Sequence, residues 1–154
     1  MIKVRTRYHK KNFAKLAAAA DEILGVRGTA LVDVEFLSDD EIRELNRSTR
    51  EVDAPTDVLS YPFLDDASLP LDERHYPGDY DRKNGAVVLG CMAVCREFIR
   101  RAAEEDKTAY ISDVYRAFTH SLLHLFGYDH ATVEQFEAMH AKENEIMLKA
   151  GLLK

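Results

Sequence analysis

The chain has 154 residues, 46% of them hydrophobic, with 21 Lys and Arg against 27 Asp and Glu and a formal net charge of −6. That size and apolar content suit a single domain, 1–154, whose core needs no disulfide staple, and the acidic balance argues against tight, non-specific nucleic-acid binding. No stretch approaches the roughly 18 consecutive apolar residues of a membrane span, and the N-terminus alternates charged and apolar residues where a signal peptide has an apolar run, so a cytoplasmic protein with no membrane partner is expected.

In chain order, "IKVRTRY" alternates at period two and predicts a strand, followed by an Ala-rich helix from Asn12 to Leu24 that stops at Gly25. "ALVDVEFL" predicts a second strand. Ser38 with Glu41 three residues on forms a capping box for a helix to about Arg47, and the polar loop "RSTREVDAPT" leads into a short strand, "DVLSYP". Residues 63–84, rich in Asp, Pro and turn formers, read as a mobile surface excursion. "GAVVLGC" has the apolar run of a buried strand. Three helices follow: from about Met92 to Glu105, from about Ser112 to Phe126, and from a capping box of Thr132 and Gln135 to Ala150. Cys91 and Cys95, four apart, lack zinc-knuckle spacing and read as reduced core thiols.

The charge is uneven. Residues 1–50 carry ten Lys and Arg against eight Asp and Glu, while the remainder carries eleven against nineteen. An anion-attracting surface is therefore expected from Lys3, Arg5, Arg7, Lys10, Lys11, Arg43, Arg47 and Arg50.

The chemistry concentrates in "HSLLHLFGYDH", residues 120–130. At 100° per residue, Val114, Phe118, Leu122 and Leu125 share one apolar stripe, while His120 and His124 lie on nearly the opposite side, one turn apart. Gly127 ends the helix and lets the chain return, so that His130 can supply a third nitrogen. Three imidazoles in this pattern predict a metal site whose fourth position is left for water, the catalytic arrangement for zinc, although nickel, copper or iron suits the same ligands. The spacing is that of a protease zinc site, but Ser121 stands where the protease has its glutamate base. Zinc itself brings the pKa of bound water to about 7. The loss therefore weighs against peptide hydrolysis more than against phosphodiester cleavage, which depends on stabilising negative charge with a cation near the metal. His9, His75 and His140 read as ordinary structural or surface histidines.

"HSLLHLFGYDH" resembles the H-G-x-L-H-L-x-G-Y-D-H motif of the YbeY family of bacterial and organellar metal-dependent endoribonucleases, and "APTDVLSYP" resembles that family's P-T-D-V-L-S-F-P block. "ELNRSTR" fits its L-N-x-x-x-R, and "EAMHAKENEIMLKAGL" resembles its C-terminal helix, so the match runs from about residue 32 to 152. The resemblance implies an α+β domain, a four-stranded mixed β-sheet flanked by about five α-helices with the zinc site at the end of the fourth. It further implies one Zn2+ held by His120, His124 and His130, a functional arginine at Arg50, and cleavage of single-stranded RNA. The implied setting is ribosomal RNA maturation and ribosome quality control, with ribosomal RNA, the ribosome and ribosomal proteins as partners.

The chain departs from the family pattern in three places: Ser121 replaces a glycine, Cys91 replaces an aspartate, and the 63–84 segment is long. Two alternatives remain at this point. One is a zinc hydrolase of another substrate, including a peptidase that recruits Glu51 or Asp53 as base; the other is a ribosome-binding protein with a structural metal. Asp129 is either an orienter of a ligand histidine or a turn residue, and Thr56, Asp57 and Ser60 are expected to organise the loop.

Overall fold

A computed structural model describes residues 1–153. The elements, in order, are β1 (Ile2–Arg5), α1 (Lys10–Leu24), β2 (Ala30–Phe36), α2 (Asp39–Arg50), β3 (Val58–Pro62), β4 (Tyr80–Asp81), β5 (Ala86–Val94), α3 (Arg96–Asp106), α4 (Tyr110–Leu125) and α5 (Val133–Lys149). They form one α+β domain with a mixed sheet of order β1-β2-β5-β3, and β4 pairs with β5 beyond this path. β1, β2 and β5 are mutually parallel, while β3 and β4 run antiparallel to β5. The sheet thus has five strands where four were expected. The fifth is two residues long and lies inside the 63–84 segment, too short to leave a periodic signal.

That segment is not a free excursion. Leu71 is buried in the main core, and its backbone bonds to Arg27 and Thr29 on either side of the Gly28 bridge. Tyr76 donates to the Asp66 carbonyl, which closes the loop on itself. Leu64, Ala67, Tyr76 and Tyr80 also pack on the core and Tyr80 and Asp81 pair with β5, so a few apolar residues spread among acids and prolines carry the anchoring and composition alone misread the segment.

The main core lies between one face of the sheet and α1, α4 and α5, with Phe13, Leu16, Leu89, Phe118, Leu122, Met139 and Ile146 inside it. A smaller cluster of Ile42, Leu59, Ala93 and Cys95 joins α2 to the other face. Both faces are covered around β5, which accounts for its unbroken apolar run. The strand runs to Val94, because Met92 to Val94 pair with β2 on one side and β3 on the other. The helix expected from Met92 therefore begins at Arg96. α2 likewise runs on to Arg50, where Glu51 adopts the left-handed cap conformation at φ 58°. Both capping boxes are present, Ser38 with Glu41 and Thr132 with Gln135.

At Gly90 an added Cβ would lie 2.4 Å from the Tyr61 carbonyl oxygen and 2.9 Å from the Leu125 side chain. Glycine here lets the last turn of α4 lie flush against β3 and β5.

Candidate metal centre

Val114, Phe118, Leu122 and Leu125 are all buried, so the apolar stripe of α4 faces the core and the turn carrying His120 and His124 is left half-exposed. The helix then closes in a Schellman turn: the Tyr128 N–H donates to the Leu123 carbonyl and the Gly127 N–H to that of His124, with Gly127 at φ 99°. This reversal returns His130 to the other two. Ring centroids are 4.6 Å apart for His120 and His124, 5.0 Å for His124 and His130, and 5.4 Å for His120 and His130. One nitrogen of each lies within 4.8 Å of the others, a cluster that could hold a metal ion.

Proton placement supports that reading. Nδ1 of His124 lies 2.8 Å from the Tyr128 carbonyl oxygen, and Nδ1 of His120 lies 3.3 Å from Oε2 of Glu143. A backbone carbonyl and a carboxylate oxygen both accept, which assigns the proton to Nδ1 on both rings. In the neutral rings both Nε2 atoms are then bare lone pairs, and they face each other at 3.0 Å. Two lone pairs at that range repel unless a cation sits against them, and a tetrahedral ion with bonds of about 2.0–2.1 Å spaces its nitrogens by about 3.3 Å. Burial, with His120 adding to it, pushes the His124 pKa down and keeps the ring neutral, the form a metal needs.

Glu143 was not singled out in the sequence. It is 5% exposed in the buried row of α5 that includes Met139 and Met147, and Nη1 of Arg116 lies 3.9 Å from its second oxygen. A glutamate four residues from a buried methionine on each side breaks the apolar stripe, and that break was the available signal. A carboxylate donating charge through a ligand histidine is the usual way a metal ligand is oriented. Asp129 does not do this job; its Oδ1 accepts from the His130 N–H at 2.7 Å, a turn contact.

The histidines open into a cleft of about 490 Å³ that is also lined by Arg50, Asp57, Val58, Ser60, Pro62 and Asp129. Arg50 ends α2, and its Nη2 donates to the Ser60 carbonyl at 2.8 Å while the guanidinium lies 5.6 Å from the centre of the Tyr61 ring. Its remaining donors are available to the cleft. Ser121 is buried, with its Oγ 2.6 Å from that of Ser60, so it ties α4 to β3 and is no base. Asp57 Oδ1 accepts from the Val58 N–H and from the Thr56 hydroxyl, in keeping with a role in shaping the loop, yet Asp57 also lines the cleft.

Several expectations change here. Asp53 is held by Arg43 at 2.8 Å, the backbone of Glu51 caps α2, and neither residue lines the cleft, so the two bases named for a peptidase stand away from the histidines. Cys91 pairs with Tyr61 across the β3–β5 ladder, whereas Val58, Ser60 and Pro62 line the metal cleft. Side chains alternate along a strand, so Cys91 points to the opposite face and its replacement of an aspartate takes no carboxylate from the centre. No residue from 63 to 84 lines the cleft. The basic surface is broken up as well, since Arg5 pairs with Asp33, Arg43 with Asp53 and Arg47 with Glu44.

His75 bonds to Asp72, His140 stacks on Phe136, and His9 packs among Phe13, Phe36 and Tyr115, all outside the cluster. Among the described residues, no helix is long and apolar enough to cross a membrane.

The model of the family described as Endoribonuclease YbeY matches residues 1–151. Proteins named Endoribonuclease YbeY include one from Bacillus velezensis, 33% identical over 138 residues that cover 90% of this chain and 83% of the relative. Another, from a Bradyrhizobium species, is 35% identical over 137 residues covering 89% and 75%. A solution structure of a Thermotoga maritima protein is similar with a TM-score of 0.58 and 28% identity over 97% of this chain and 91% of that one. The family model spans nearly the whole chain and the named relatives are more than 30% identical over most of it, so the chain belongs to the endoribonuclease YbeY family.

Proposed function

We propose that the protein is a zinc-dependent endoribonuclease that hydrolyses phosphodiester bonds of single-stranded RNA, with His120, His124 and His130 as metal ligands and Arg50 as the catalytic cation. The observation that carries this reading is the presence of Arg50 and the three converging imidazoles in one cleft without a protease-type glutamate. When bound, the metal supplies a Lewis acid for a phosphoryl oxygen and a nucleophilic water at neutral pH.

The chain's own groups do the rest. Arg50, steadied by the Ser60 carbonyl and the Tyr61 ring, holds a non-bridging phosphate oxygen and offsets the charge that builds up there. Glu143 and the Tyr128 carbonyl keep both Nδ1 protons in place, so His120 and His124 keep their lone pairs toward the metal. Asp57 and Asp129 each spend one oxygen on a backbone N–H and hold the second ready to take a proton in the cleft.

Family membership supports ribosomal RNA maturation and ribosome quality control as the setting, in the cytoplasm, with the ribosome and its proteins as partners. The test is incubation of the zinc-loaded protein with single-stranded RNA, duplex RNA and casein. Internal cleavage of the single strand alone is expected; cleavage of casein and not of RNA would replace this reading with a peptidase.

A further inference from the structure

A cleft larger than the one at the histidines, about 850 Å³ against about 490 Å³, lies elsewhere on the protein. Tyr110, the first residue of α4, lines it, and His124 lies fourteen residues further along that helix, about 21 Å away at 1.5 Å per residue. The cleft sits at the C-terminal ends of the three parallel strands: Arg7 and Tyr8 follow β1, Phe36 to Ser38 close β2, and Arg96 follows β5. This is where open α/β sheets present their ligand crevices.

Its lining is unusual for an acidic protein. Arg7, Arg96, Arg100 and Arg101 contribute four positive charges against Glu35 and Glu97. The guanidinium of Arg96 lies 4.0 Å from the Tyr8 ring centre and 5.0 Å from that of Phe36; Arg100 lies 4.1 Å from Tyr110, and Arg7 lies 5.4 Å from Tyr8. Stacking occupies the guanidinium faces and leaves the N–H edges pointing outward. Among the described residues Arg7, Arg96 and Arg100 form no ion pair, while Arg101 is held by Asp39. Tyr8 is 37% exposed, so this residue reaches solvent beside the arginines.

Free guanidinium edges interleaved with partly exposed aromatic residues match the alternating chemistry of an unpaired nucleic-acid strand, phosphate after base. We propose that this cleft is a second binding site for single-stranded RNA, holding a stretch of the strand remote from the bond that is cut. The proposal rests on the reading of the histidine cleft as a single-strand ribonuclease. It gives longer substrates an anchor that short ones lack, and lets the metal cleft stay small.

The test uses the zinc-loaded full chain and a fluorescent, nuclease-resistant phosphorothioate RNA of about 16 nucleotides, with cleavage of ordinary RNAs of about 4 and about 16 nucleotides measured in parallel. Arg96→Ala with Arg100→Ala should weaken binding of the long strand about tenfold at low salt and flatten the log–log salt slope by about 1.4, two phosphate contacts' worth. Arg100→Glu, at an exposed position on α3 and outside the Tyr8 stack, gives up only the contact with Tyr110 and should also weaken long-strand binding and flatten the salt slope. Asp39→Asn, which frees Arg101, should tighten binding. In cleavage, KM for the long RNA should rise with kcat unchanged, and the short RNA should be cut as by wild type. Wild-type binding in both the double variant and Arg100→Glu would overturn the proposal, as would equal dependence of duplex RNA binding on these arginines. RNA bound through the arginines but never cut would sink the ribonuclease reading and leave this site standing. RNA cut with the same KM by every variant would do the reverse.

Discussion

Glu143 on α5 places Oε2 3.3 Å from Nδ1 of His120 on α4, and it does so from a position only 5% exposed. A carboxylate buried there is costly unless it is paired and hydrogen-bonded; the Arg116 guanidinium at 3.9 Å supplies the charge and the His120 Nδ1–H the hydrogen bond. The contact also fixes the His120 tautomer.

Glu143→Gln keeps the shape and removes the charge, so metal affinity should fall about 10- to 100-fold while the fold is kept. Titration against a chromogenic chelator measures this; an unchanged affinity would show that the carboxylate does not act on the metal through His120.

Arg50→Lys keeps the charge but loses the planar fork and the stack on Tyr61. Losing one charge-assisted contact to the transition state should lower single-turnover cleavage of single-stranded RNA by roughly 30- to 1,000-fold, with metal content unchanged. Arg47→Ala serves as the control, because Arg47 pairs with Glu44 and does not line the histidine cleft. Equal rates for Arg50→Lys and wild type would remove Arg50 from the mechanism.

Asp39, bonded by the Arg101 guanidinium, has its pKa held at about 2. A depressed carboxylate pKa stabilises the fold above the unfolded value near 4 and loses that contribution as pH falls through the folded value. The pair is partly exposed, so the effect is modest and weakened by salt. Urea unfolding of wild type and Asp39→Asn should differ by a constant amount above about pH 5 and converge between about pH 4 and pH 2. A gap that persists at pH 2 would mean Asp39 acts by packing instead of charge.

Much of this was legible in the residues. The 3.6-residue stripe of α4 assigned His120 and His124 to the outward side, and Gly127 marked the reversal that returns His130, because both are local consequences of helix geometry. Capping boxes were legible for the same reason. Contacts made across elements were not. Glu143 reaches His120 over 23 residues, and the Arg96, Arg100, Tyr8 and Phe36 cluster gathers three strand ends into one cleft. Summed by segment, residues 51–154 are strongly acidic, and that sum concealed the arginines of α3. The role of Leu71 was hidden similarly, by the polar residues around it.

The most direct measurement strips the protein with a chelator, returns zinc in substoichiometric steps, and follows cleavage of a single-stranded RNA in wild type and His124→Ala. Three imidazoles converging on one point predict no cleavage without metal, activity rising linearly to one zinc per chain, and neither zinc uptake nor cleavage in His124→Ala, whose metal-free melt matches that of metal-free wild type because the core stripe lies on the other side of α4. Full cleavage by the stripped protein, or by His124→Ala, would contradict the account.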